Sequence, residues 1–233
     1  MTIRAALLLV AALAFGASPL LNPGFGGYDP NLFPVPIEEP PILPAGYAFS
    51  LWGLIYLWLI VMAGFGLWRR ADDPGWDASR RPMIASLAVG ATWLPVAMVS
   101  PIWATVLIWA MLVAALWALL RTPDRDAWLL RAPVGLCAGW LTAASCVSLG
   151  TTLIGWAVPP LGPSGWALAC LALALAIGAA ILRARPSLTY GAAIVWALVA
   201  VTARDGATLV GLLALGGALA VAALTFLRLR TAA

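Results

Sequence analysis

The chain contains neither histidine nor lysine. All 13 basic residues are arginine, and charged residues make up only 9% of 233 positions. So little charge cannot cover a soluble surface, and with 64% hydrophobic residues and a mean hydropathy of +1.00 the sequence reads as an integral membrane protein. Cysteine is scarce too. Cys137, Cys146 and Cys170 all fall in apolar stretches, which argues against a disulfide framework and for small buried hydrophobes. The apolar stretches hold no Asp, Glu, Lys or His, so a proton relay, an intramembrane general base and a metal centre all lack members. Hydroxyls such as Thr142 and Ser145 are weak nucleophiles without an activating partner. The expectation is a protein that is not an enzyme and requires no cofactor. The net charge of +4 does not point to nucleic acid, because arginines beside membrane spans set orientation.

Apolar runs of roughly 17 to 25 residues, the length that crosses a hydrocarbon core, occur near 3–21, 46–68, 82–100, 102–121, 128–157, 164–184, 187–203 and 206–228. The fold class expected is therefore all-α, with about eight transmembrane helices. The arginines test the count: Arg4, then Arg69 to Arg81, Arg121 to Arg131, Arg183 with Arg185, and Arg228 with Arg230 fall in alternate connections, and only Arg204 falls on the other side. By the positive-inside rule both termini are expected in the cytoplasm. The first run also has the shape of a signal peptide, with Arg4 ahead of it and Gly16-Ala17-Ser18 near its end, and that alternative stays open.

The stretch from Asn22 to Ala45 is the one long connection on the outer side. Its Pro34-Val-Pro-Ile-Glu-Glu-Pro-Pro segment favours extended polyproline geometry. It reads equally as a stiff cover over the helix ends or as a solvated linker. Gly162-Pro163 marks a second boundary, dividing a five-helix part, 1–158, from a three-helix part, 159–233, in which small residues such as Ala174 and Gly178 suit close helix packing.

The 13 tryptophans exceed what interfacial anchoring accounts for. Trp68, Trp76, Trp128, Trp156 and Trp166 fall at predicted boundaries and read as anchors. At 1.5 Å of rise per residue, the others gather elsewhere: Phe49, Trp52 and Tyr56 on the second helix, Trp93 on the third, Trp103 on the fourth and Trp140 on the fifth all reach one leaflet, beneath the proline-rich loop. That convergence is either an aromatic core or the wall of a ligand cavity. On the fifth helix Cys137, Trp140, Ala144 and Val147 share a face, flanked by Ser145 and Ser148. Small Ala144 beside Trp140 makes either a recess or a close helix contact.

The order Trp52-Gly-Leu-Ile-Tyr56, Trp93-Leu-Pro95, Trp103-Ala and Pro133 followed by Trp140 resembles the TspO/translocator protein family over residues 1 to about 158. The Pro44-Ala-Gly-Tyr-Ala-Phe-Ser-Leu-Trp52 run resembles most its bacterial tryptophan-rich sensory branch. The resemblance implies a five-helix bundle, here with three further helices, that binds a planar hydrophobic molecule such as a porphyrin or haem-type tetrapyrrole under the loop after helix one. It puts Trp52, Tyr56, Trp93, Trp103, Trp140 and Ala144 at the ligand, to which helical spacing adds Phe49 and Ser148 as neighbours, and implies a receptor in the inner membrane of a bacterium, or alternatively a passive or partner-driven transporter, whose partners are the bilayer, a hydrophobic small molecule and a second copy of the chain. Two departures stand out: Ser50 replaces a proline usual in the family, and Gly90 an asparagine.

Overall fold

In the computed structural model, which describes residues 1–232, the chain is an up-and-down bundle of eight helices. These are α1 (Thr2–Leu21), α2 (Leu51–Arg69), α3 (Pro74–Ala97), α4 (Pro101–Leu120), α5 (Arg131–Gly155), α6 (Pro163–Ala184), α7 (Leu188–Asp205) and α8 (Leu209–Ala232). Two short 3-10 turns, Pro30–Leu32 and Gly46–Ser50, interrupt the long loop between α1 and α2. All the helices except α3 meet the length and hydropathy of a membrane span. The exception is chemical: Asp77, Arg80 and Arg81 sit in its first turns, yet α3 runs alongside α1 and α4 through the bundle.

Two boundaries differ from the expectation. The third helix begins at Pro74, eight residues before 82, because Asp73 caps it by accepting from the amides of Gly75 (2.8 Å) and Trp76 (3.3 Å), while Pro74 takes the first helical position. Charged residues there suggest a loop, but they lie on a helix. The second helix begins only at Leu51, so Phe49 belongs to the 3-10 turn that leads into it.

The post of the bundle is α5, with 19 of 25 residues buried, against α2, α4, α6 and α7. Small residues allow this. A Cβ on Gly139 would lie 2.3 Å from the Tyr190 carbonyl oxygen of α7, and one on Gly135 would lie 2.5 Å from Ser187 Oγ. At that separation the two backbones touch, which is how membrane helices gain dispersion energy without a hydrophobic driving force. Packing therefore carries across Gly162-Pro163: α6 and α7 close on the same post as α2 and α4, while α8 packs on α6 and α7, and α1 and α3 pack on α2 and α4.

The arginine-rich ends of the helices meet at one end of the bundle, together with both termini. Arg4 pairs with Asp77, and Arg228 donates to the Arg183 carbonyl at 2.9 Å. Here Trp76 departs from its expected role as an interfacial anchor. It is fully buried, its ring is packed where a Gly66 Cβ would stand (2.8 Å), and its indole donates to Asp126 Oδ2 at 3.0 Å. Beside it the buried Arg80 guanidinium donates to the carbonyls of Arg70 (2.6 Å), Ala71 (2.7 Å) and Gly66 (3.3 Å), closing the C-terminus of α2. Trp68 and Trp128, by contrast, are exposed at this end. The opposite end holds the long loop, tied by Arg204 to Glu39 at 3.0 Å and by the Ala45 amide to the Ala200 carbonyl at 3.0 Å.

Gly139→Ala is expected to lower the melting temperature in detergent, at a cost of about 1–3 kcal/mol, since a backbone oxygen cannot step aside. Gly53→Ala, where a Cβ meets nothing within 4 Å, is expected to leave it unchanged or raise it. Asp126 carries a second prediction. The Arg70 hydrogen bond at 2.8 Å, with help from Trp76, holds its carboxyl below the usual carboxylate range. A depressed folded value lends stability that is full above roughly pH 4 and is lost as pH falls towards that value. Asp126→Asn, which keeps a residue tolerant of the positive φ of 54° there, is expected to melt earlier at pH 7. Its loss of stability on acidification is expected to be shallower, measured by melting between pH 7 and 3.

Candidate functional site

A cavity of about 320 Å³ lies at the loop end of the bundle, lined by α1 to α7 and roofed by the loop. Its wall is aromatic. Trp52 and Tyr56, one helical turn apart on α2, stack at 5.4 Å with planes 13° apart, and Phe15 of α1 meets both edge-on at 5.7 and 4.9 Å. Trp140 of α5 stands edge-on to Trp52 at 6.0 Å and to Phe49 at 6.1 Å. Trp93 of α3 is held by its indole N–H, which donates to the Ala104 carbonyl at 2.8 Å, and Phe25 of the loop meets it edge-on at 5.3 Å. Such pairs contribute about 0.5–1.5 kcal/mol each beyond their burial, so the rings form a rigid scaffold.

The cavity exists because large and small residues alternate around it. Gly90 lies where Phe15 enters: a Cβ would stand 2.6 Å from that ring and 2.9 Å from Met111 Cε. The glycine that replaces the family's asparagine thus makes room for an aromatic ring from α1. Ala143 and Ala144 on α5 leave the recess beside Trp140 unfilled. Among the described residues, no charged side chain lines the cavity and no group of His, Cys, Asp or Glu gathers that could hold a metal.

Two lining residues, Tyr28 and Ser148, belong to a chain of hydroxyls. Tyr28 Oη of the loop lies 2.6 Å from Ser148 Oγ of α5, Ser148 lies 2.7 Å from Thr105 Oγ1 of α4, and Thr105 lies 2.8 Å from Thr152 Oγ1. Burial pushes the Tyr28 phenol up, partly offset by hydrogen bonds from Ser148 and Thr105, so it stays neutral. This chain latches the loop onto two helices. Further along, Phe33 packs where a Gly155 Cβ would be (2.2 Å) and meets Trp156 edge-on at 5.3 Å, while the Val35 amide donates to the Gly155 carbonyl at 3.0 Å. The loop is a fitted cover rather than a solvated linker.

Phe49, Trp52, Tyr56, Trp93, Trp140, Ala144 and Ser148 all line this cavity. Trp103 does not. It is 64% exposed, because α4 turns Ala104, Thr105, Ile108 and Met111 inward and residue 103 lies on the opposite side. Several lining residues escaped sequence reasoning. Phe15 and Tyr28 are isolated aromatics without a helical partner, and Cys170, Leu171, Ala174 and Leu198 are ordinary apolar residues of α6 and α7. Only Ala174 carried a signal, as a small residue for close packing. Tyr190 of α7 is fully buried against Thr142, at 3.1 Å, and so does not face the bilayer.

The sequence model of one family, described as TSPO-like protein, matches residues 38–227. That span runs from the end of the loop through α2 into α8, so it takes in the three helices beyond Gly162-Pro163 that the resemblance left outside. No curated protein and no solved structure matches the chain.

Tyr28→Phe removes the outer link of the hydroxyl chain and leaves Ser148 bonded to Thr105. At about 1 kcal/mol for a net hydrogen bond, amide exchange across residues 23–35 is expected to accelerate on the order of five-fold in hydrogen-exchange mass spectrometry, with exchange at the arginine-rich end unchanged.

Proposed function

We propose, since this chain belongs to the TSPO-like family, that it is a membrane receptor that binds a flat, hydrophobic small molecule of tetrapyrrole type in the aromatic cavity under its loop. The observation that carries the proposal is the convergence of rings from α1, α2, α3 and α5 on a chamber without charge. Rings present faces and edges to a planar ligand, while neutral hydroxyls and indoles orient its polar atoms. Trp140 Nε1 is buried without a hydrogen-bond partner, so a ligand acceptor that reached it would satisfy a donor that is costly to leave unmade.

The chamber's chemistry constrains how such a ligand sits. With no guanidinium or ammonium in the lining, ionised carboxylates on a macrocycle stay at the mouth, in water, and only the ring system enters. A volume of about 320 Å³ is at the lower end for small-molecule sites, so a macrocycle raises the loop as it enters. Binding without catalysis fits a lining that holds no carboxylate, histidine or lysine to act as acid or base. The arginine-rich end with both termini faces the cytoplasm of a bacterial cell in this reading, which puts the loop and the cavity mouth on the outer side of the inner membrane.

Protoporphyrin is expected to quench the tryptophan fluorescence of the purified protein saturably. Trp140→Phe combined with Ala144→Leu fills the recess and is expected to weaken binding by at least tenfold, about 1.4 kcal/mol, whereas Trp103→Phe leaves the affinity unchanged. Equal affinity in the Trp140→Phe, Ala144→Leu variant would exclude this cavity as the site.

A further inference from the structure

A second recess lies on the outer surface of the bundle, between α3 and α4, and shares no residue with the cavity under the loop. It is a groove of about 560 Å³ with Ala85, Ala110 and Ala114 along it, Trp109 and Trp117 beside them, and Arg81 at its arginine-rich end. Val113 and Trp117 are 63% and 52% exposed, so this face of α4 meets the lipid. Just past the end of α4 the Arg121 guanidinium lies 5.4 Å from the centre of the Trp117 ring. We infer that this groove binds one anionic glycerophospholipid, with an acyl chain along the alanines and the phosphate between Arg81 and Arg121.

Charge decides the occupant. Among the described residues each of the five side-chain carboxylates at this end is engaged elsewhere: Asp72 with the N-terminus, Asp73 with Arg125, Asp77 with Arg4 and Arg80, Asp124 with Arg131 and Arg185, and Asp126 with Arg70. Among the described residues Arg81 and Arg121 are exposed and make no ion pair. Two uncompensated guanidiniums above an apolar groove, with indoles at the rim, match a lipid from headgroup to chain. A zwitterionic lipid is the poorer fit, because among the described residues no unpaired carboxylate side chain stands at this end to receive its ammonium. A second copy of the chain is also disfavoured: a two-fold interface through this groove would bring both copies' Arg81 and Arg121 together with nothing to neutralise them.

The test uses the full-length protein in a neutral detergent, with dioleoylphosphatidylglycerol or dioleoylphosphatidylcholine titrated in. Native mass spectrometry is expected to show one tightly retained phosphatidylglycerol, preferred on the order of thirty-fold over phosphatidylcholine, as two basic residues at a headgroup imply, and the melting temperature should rise with phosphatidylglycerol alone. Arg81→Gln with Arg121→Gln should abolish the preference without lowering the lipid-free melting temperature. Ala114→Phe should abolish retention with both arginines in place; if that variant fails to fold, the arginine pair decides alone. Equal retention of the two lipids, a preference that survives in the double variant, or the same thermal shift with inorganic phosphate would each overturn the assignment. So would efficient cross-linking of two copies through Ala114→Cys in phosphatidylglycerol nanodiscs, which would show the groove covered by protein.

Discussion

A helix buried on every side in the middle of a membrane bundle must be thin, and α5 is. Its neighbours reach its backbone at Gly135 and Gly139, while the loop reaches it at Gly150, where Ile42 would stand 3.0 Å from a Cβ, and at Gly155. Each contact trades a side chain for proximity, which is the available source of cohesion where lipid tails are as apolar as leucine. The rest of the architecture follows from that arrangement. With α7 pressed onto one side and α4 onto another, the hydroxyls of α5 find partners across the interface: Thr142 with Tyr190 at 3.1 Å, Ser145 with the Ile108 carbonyl at 3.2 Å, and Ser148 with Thr105. A helix carrying leucine at these positions would stand further off, and its neighbours could not converge around one chamber.

The chamber is what remains when this thin helix meets thick side chains. Phe15, Trp52, Tyr56 and Trp140, from three different helices, pack edge-on or stacked against one another, and Trp93 of a fourth is held by Phe25 and its own hydrogen bond, so none rotates freely into the recess beside Ala143 and Ala144. A purely aliphatic lining could collapse by rotamer changes, whereas rings held by neighbours and by the Trp93 hydrogen bond keep the space open. Pre-formed space of this kind lets a ligand's binding energy go into contacts rather than into ordering the site.

How much of this was legible in the sequence depends on whether the cause was local. Helix number, alternation of the arginines and the aromatic convergence are set by patterns along single segments, and the structure has all three. The helix start at Pro74 was written in Asp73-Pro74, but the charges that follow argue for a loop when they are counted rather than placed. Trp76 reads as an interfacial indole because its partner Asp126 lies 50 residues away, and Trp103 reads as a wall residue because depth along a helix is predictable while azimuth is not. The contributions of α6 and α7 were invisible for the same reason: Leu171 and Leu198 differ from their neighbours only in which way they face. Gly162-Pro163 is a local signal that falls, as read, in the connection between α5 and α6, while the packing of α6 and α7 on α5 is non-local.

The two ends of the bundle are closed by different forces, and this decides where it opens. At the arginine-rich end a buried guanidinium satisfies three carbonyls, an indole and an arginine share one carboxylate, and several further ion pairs cross between helices. Removing one partner there strands a desolvated charge, so local opening is expensive. At the other end the loop is held by neutral hydrogen bonds, ring contacts and a single ion pair in which Glu39 is 78% exposed and therefore weak. Stability in such a molecule is unevenly distributed, and the least stable segment opens first. The segment with the cheapest contacts is the one that covers the chamber, so access can be gained by lifting residues 23–35 while α5 and the ion-paired end keep the aromatic walls in register.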